Sequence, residues 1–63
     1  MHELLEGLEG KSIFVKLKSN SHFTGQVTKI IENSDGDHQI HIIDKFGKIV
    51  VFLSSEIVEL KEK

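Results

Sequence analysis

Apolar and polar residues alternate along 12–18, with Ile13, Val15 and Leu17 on one side and Phe14, Lys16 and Lys18 on the other. A period of two is the mark of a strand with one buried face. Ser19-Asn20-Ser21 has turn chemistry, because Asn tolerates left-handed backbone and Ser bonds its own main chain. A second apolar run follows at 22–32, broken by Gly25, and a lone glycine inside a strand marks a bulge, a bend or a close backbone approach. Asn33 to Asp37 holds an Asp-Gly pair, a strong hairpin signal. A third strand is expected at 39–44, a turn at Lys45-Phe46-Gly47, a fourth strand at 48–53, and a fifth at 57–61 after Ser54-Ser55-Glu56. Ahead of the strands, HELLEGLE over residues 2–9 puts Leu4, Leu5 and Leu8 on one helical face, and Gly10 is a natural stop. The pattern predicts a mainly β chain, 1–63 as one domain. A short N-terminal helix precedes five strands in a strongly bent antiparallel small barrel.

The fourth strand is apolar on both sides: Ile49, Val51 and Leu53 on one, Val50 and Phe52 on the other. One side fills the core. The other needs cover, either from the helix leucines of the same chain or from a neighbouring subunit, with Val50 and Phe52 as the leading contacts. Size sharpens the question. A chain of 63 residues buries only about 60% of its unfolded surface. With no cysteine it has neither a disulfide framework nor a thiolate metal site. Self-association is the most economical source of further burial.

Charge narrows the partners. Eight basic against ten acidic residues give a net charge of −2, and every basic residue is Lys. No global basic field draws the chain to nucleic acid, and the bidentate chemistry of Arg is missing. No run approaches the roughly 18 apolar residues of a membrane span, and no signal-peptide core is present, so an intracellular, cytoplasmic protein without membrane contact is expected. His38 and His41 stand three apart, on opposite faces of a strand, which speaks against a shared metal ion. Ser54-Ser55 has no base within recognisable reach, so no catalytic residue, no enzyme activity and no cofactor is expected.

In order and spacing the chain resembles the Sm/Lsm-like family, which includes the bacterial Hfq proteins. Leu4-x-x-x-Leu8-x-Gly10-Lys11 leading to Ile13-x-Val15-x-Leu17 resembles that family's helix and first strand. Phe23-x-Gly25-x-Val27 resembles the start of its first motif. Phe46-Gly47-Lys48-Ile49-Val50-Val51, through 57–60, resembles its second motif and closing strand. The resemblance implies a hexameric or heptameric homo-oligomeric ring, in which the fourth strand of one subunit pairs with the fifth of the next. The interface would then include Val50, Phe52, Leu53, Ile57, Val58 and Leu60. It also implies single-stranded RNA as ligand, yet the family's uridine pocket is altered. Its Asp, aromatic and Met-Asn positions fall at Ile31, Asn33 and Ser34-Asp35, and its Arg-Gly at Leu53-Ser54.

Other groups would have to meet RNA. Asn33, Ser34 and His38 lie in or beside the second-to-third-strand loop, although an ordinary Asp-Gly turn explains the same residues. Phe46 between Lys45 and Lys48 is an aromatic with flanking cations, a combination that stacks single-stranded bases, but an aromatic in a turn also folds back over a barrel end. Lys11, Lys16, Lys18 and Lys29 could track a phosphate backbone or simply keep the strands soluble. The expectation is therefore a ring that binds RNA weakly through repeated contacts. The alternative is a structural or adaptor module whose strand edges recruit other proteins.

Overall fold

The computed structural model describes residues 7–63. Five strands form one antiparallel sheet: β1 (Ser12–Leu17), β2 (His22–Glu32), β3 (His38–Ile43), β4 (Ile49–Leu53) and β5 (Ile57–Glu62), in the order β4-β3-β2-β1-β5. A single 3-10 turn, Ser54–Glu56, links β4 to β5. Strand positions agree with the alternation in the sequence to within about one residue. The helix expected over residues 2–9 falls mostly outside the described residues. Its described end is not helical: Gly7 to Gly10 form turns, and Gly10 sits at φ +87°, a left-handed conformation that a right-handed helix excludes. Leu8 still reaches the core from this turn and is buried.

Three successive strand connections use one device. Leu17, Asn33 and Asp44 each donate their N–H to the carbonyl four residues on, and each accepts from the N–H three residues on. The last residue of each loop, Asn20, Gly36 or Gly47, has φ between +70° and +90°. This is the three-residue hairpin loop, a type I turn closed by a left-handed residue, and it fixes strand register. The residue types at those positions are the ones that reach left-handed backbone cheaply.

β4 and β5 are consecutive in sequence yet lie on opposite edges of the sheet. In a flat sheet those edges would be about 19 Å apart, farther than a three-residue turn reaches. The sheet must therefore curl until its edges meet at one corner. Gly25 permits the bend: a Cβ built there would lie 2.6 Å from the Ile43 carbonyl oxygen. Two bulges add twist, one leaving Thr28 unopposed between Val27 and Lys29, the other leaving Val58 unopposed where Lys16 and Leu17 face β5. The curled sheet nevertheless stays open. The corner closes through backbone contacts of the 3-10 turn, such as the Lys18 N–H donating to the Glu56 carbonyl at 2.8 Å, while β4 pairs only with β3 and β5 only with β1. The closed barrel expected from the pattern is thus an open, curled sheet.

Inside the curl lie Leu8, Ile13, Val15, Leu17, Val27, Ile40, Ile42 and Phe52. Full burial of each aliphatic side chain contributes roughly 1.5–3 kcal/mol. Against a net stability of about 3–9 kcal/mol for a chain of this length, each is a sizeable share. The register decides which side of β4 faces in. Val50 and Phe52 turn toward the core, with Phe52 buried, and Ile49 and Val51 turn out, 66% and 49% exposed. Of the expected leading subunit contacts, Phe52 is thus buried in the chain's own core and Val50 packs against that core, while the outward side chains of β4 are Ile49 and Val51. No helix among the described residues is long and apolar enough to cross a membrane.

Candidate functional site

The six residues expected at an RNA site fall into two groups at opposite ends of β3. Asn33, Ser34 and His38 belong to the β2–β3 hairpin, whereas Lys45, Phe46 and Lys48 belong to the β3–β4 hairpin. Six residues of strand separate them by roughly 20 Å. They cannot form one pocket within the chain.

At the first end the polar groups are occupied by the protein itself. The Asp37 carboxylate accepts hydrogen bonds from the hydroxyls of Ser54 and Ser55, the latter at 2.7 Å, from the Ser55 N–H at 3.1 Å and from the His38 N–H at 2.9 Å. The His38 N–H also donates to Ser54 Oγ at 3.1 Å, and Ser54 is buried. The Ser54 hydroxyl, then that of Ser55, favours the ionised form and holds the Asp37 carboxyl well below the usual carboxylate range. Asp37 thereby ties the β2–β3 hairpin to the turn between β4 and β5. His38 is 7% exposed, too deep to read a base edge. Asn33 is half-buried, with its N–H and carbonyl committed to the turn; only Ser34 of this group is exposed. Sequence reasoning missed this clamp. No local signal marks it: only the register of β3 on β4, with Gln39 opposite Leu53, carries Asp37 and Ser54-Ser55 to the same corner.

The other end presents its groups outward. Asp44 turns its carboxylate back onto its own hairpin, where Oδ1 accepts the N–H groups of Phe46 and Lys48, both at 2.9 Å. The turn is thus fixed while its side chains project. Phe46 is 83% exposed, and Lys45 Nζ lies 5.2 Å from the centre of its ring, within the range of a cation–π contact. Beside it runs a groove of about 960 Å³. Phe23, Ile43 and Val50 give it an apolar lining, Thr24 and Gln26 a polar one, and Lys45 and Phe46 line it as well. The Gln26 side-chain amide is oriented by donating to the Gly10 carbonyl at 3.0 Å. Of these lining residues, Lys45 and Phe46 were the expected RNA contacts, whereas Phe23 and Val50 stood out in the sequence for other reasons. Bringing Phe23 to Gln26 beside the β3–β4 turn depends on the bend at Gly25.

The lysine stripe of the first strands is partly neutralised. Lys11 pairs with Glu62 at 3.3 Å, and Lys16 lies close enough to Glu59 to help lower its carboxyl, behind the stronger influence of Lys61, which bonds Glu59 at 2.9 Å. Exposed pairs of this kind contribute little to stability, but they remove cations that a phosphate would otherwise meet. No three His, Cys, Asp or Glu side chains among the described residues gather as a metal site.

The expected interface residues sit on the two edge strands. Val58, the bulged residue of β5, is 60% exposed, while Leu53, Ile57 and Leu60 are half-buried and, for Ile57 and Leu60, packed against the core. Outward apolar side chains therefore occur on both edges: Ile49 and Val51 on β4, Val58 on β5. Set against known proteins, the chain matches no family model, no curated protein and no solved structure.

Proposed function

We propose that this protein is an Sm-like homo-oligomer, assembled as a hexameric or heptameric ring by pairing β4 of one copy with β5 of the next, and that the ring binds single-stranded RNA weakly. The observation that carries the reading is the strand order. It leaves β4 and β5 as the two open edges of the sheet, the strands whose pairing the sequence resemblance implies. Each edge carries outward apolar side chains, and an open, apolar edge is a template for another strand. Neither edge strand contains the proline that would block such pairing.

RNA binding in this reading is a matter of repetition. A subunit with net charge −2 offers few phosphate contacts, but copies held around a ring act together and raise the overall affinity well above that of one. A second reading has an observation of its own. Where an Sm-type pocket would lie, the chain places Asp35 and the occupied Asp37 clamp, which favours an adaptor that uses its edges to bind other proteins.

Light scattering at micromolar concentration tests the assembly. The expected particle is six or seven times the 7.1 kDa chain, and Val51→Lys should dissociate it; a stable 7.1 kDa monomer removes the ring. Titration of oligo-U and oligo-A at two salt concentrations tests the ligand. Weak, steeply salt-dependent binding is expected, and no binding at low salt leaves the adaptor.

A further inference from the structure

We infer that the groove beside the β3–β4 turn is where a subunit holds single-stranded RNA, with one nucleobase stacked on the Phe46 ring and Lys45 set against the neighbouring phosphate. The inference rests on the proposed RNA binding of the assembly and assigns it a place, away from the β2–β3 corner at the far end of β3.

Four features point to that occupant. Phe46 is the most exposed of the large apolar side chains among the described residues, at 83%, in a turn where a polar residue would satisfy the fold equally well. Its backbone is held by Asp44 through two hydrogen bonds, so the ring is offered on a fixed base and loses little freedom when something stacks on it. The cations around it suit an anion: Lys45 lies over the ring, Lys48 follows in the same hairpin, and Lys63 lines the groove with Lys45 against one lining carboxylate, Asp44, which keeps its charge. The groove itself, about 960 Å³, matches clefts of small organic ligands, roughly 300–1,000 Å³. Its mixed lining, apolar at Phe23 and Val50 and polar at Thr24 and Gln26, suits a planar heterocycle with hydrogen-bonding edges. An aromatic face with an adjacent cation binds successive bases without strong sequence preference.

The β2–β3 corner lacks these properties. Its charged side chains, Asp35 and Asp37, are both acidic with no lysine over residues 33–38 to offset them, and the Ser54 and Ser55 hydroxyls beside them are engaged by Asp37.

The test uses the full chain and a twelve-nucleotide RNA carrying 2-aminopurine, whose emission reports stacking, with anisotropy for affinity and light scattering for mass. Phe46→Ala should weaken binding by about 5- to 100-fold and abolish the emission change. Phe46→Trp should keep both. Lys45→Gln should weaken binding and reduce the salt slope by about one. Ser34→Ala, at the other corner, should leave binding unchanged. If the wild type binds RNA and Phe46→Ala binds it equally, the groove assignment is overturned while RNA binding stands. If the wild type binds no RNA, both fall, with the assembly judged separately by its mass. If Phe46→Ala changes the mass of the particle, Phe46 is a contact between copies and the assignment is likewise overturned.

Discussion

At the N-terminal end of β3, Asp37 reaches across to Ser54 and Ser55, whereas at the C-terminal end Asp44 folds back on its own turn. Both hairpins use the same three-residue loop, and both hold an aspartate at or beside the loop, so local sequence chemistry is nearly shared. The difference lies in what stands opposite. Across from Asp37 is the 3-10 turn joining the two sheet edges, and the carboxylate becomes a clamp on the curl. Across from Asp44 is a groove, and the hairpin keeps its hydrogen bonds internal while Lys45 and Phe46 point outward. One corner is closed by its polar groups; the other is held in shape by them and left accessible.

The largest effect should come from the place where the accessible corner meets the fold. Gly25 lines the groove and packs against the backbone of Ile43 at the end of β3. A methyl group there must push a carbonyl, not a flexible side chain, so Gly25→Ala should cost about 2–3 kcal/mol. Urea denaturation measures it. A cost below about 0.5 kcal/mol would mean that the sheet does not bend tightly at this point.

Next comes the clamp. Ser54→Ala removes a buried hydroxyl that donates to Asp37 and accepts from His38. The expected loss is about 1–2 kcal/mol, moderated because the His38 N–H keeps its bond to Asp37. Ser34→Ala in the same hairpin should be close to neutral, since Ser34 is exposed. Equal effects for the two serines would dissolve the distinction between clamp and turn.

Acid should act on the clamp. The folded-state pKa of Asp37 is depressed, chiefly by the Ser54 and Ser55 hydroxyls. Its contribution to stability is therefore complete above the unfolded-chain pKa of about 3.9 and is lost as pH falls toward the folded value. Asp37→Asn removes that dependence. The wild type should be the more stable at pH 7, and the gap should narrow steadily below about pH 4. A gap that stays constant to pH 2 would show that the carboxylate is not held by the serines in solution.

Strands and turns were legible because their signals are local: a period of two, an Asp-Gly pair, a glycine in the middle of an apolar run. What required distant residues to meet was not. Asp37 and Ser54 are 17 positions apart, and only the register of β3 on β4 joins them. The same register decides the faces of β4. Ile49, Val50, Val51 and Phe52 are all apolar, so composition could not tell inside from outside, and the expectation for Phe52 came out inverted. The six RNA candidates were placed in two successive loops, and β3 holds those loops at its opposite ends. The leucines of 2–9 suggested a helix that would run to residue 9, but the glycine turn at Gly10 extends back to Gly7 and overrides that pattern where it is described. The groove as a unit was not legible, because bringing Phe23 to Gln26 beside Lys45 and Phe46 depends on the bend at Gly25.

The smallest expected change in stability is the one that separates the two corners most sharply. Phe46 is a large apolar side chain that the fold leaves in water, so removing its ring deprives the core of nothing. The turn is held by Asp44 and by Gly47 at positive φ, neither of which involves the ring, and the contact with Lys45 is an exposed one. Phe46→Ala should therefore alter unfolding free energy by less than about 0.5 kcal/mol, with an unchanged denaturant slope. An aromatic that costs the chain nothing to lose, yet whose loss weakens RNA binding, belongs to a surface used by a ligand. A loss above about 1 kcal/mol would instead place the ring against the protein's own sheet in solution, and would return this corner to the same structural role as the clamp at the other end of β3.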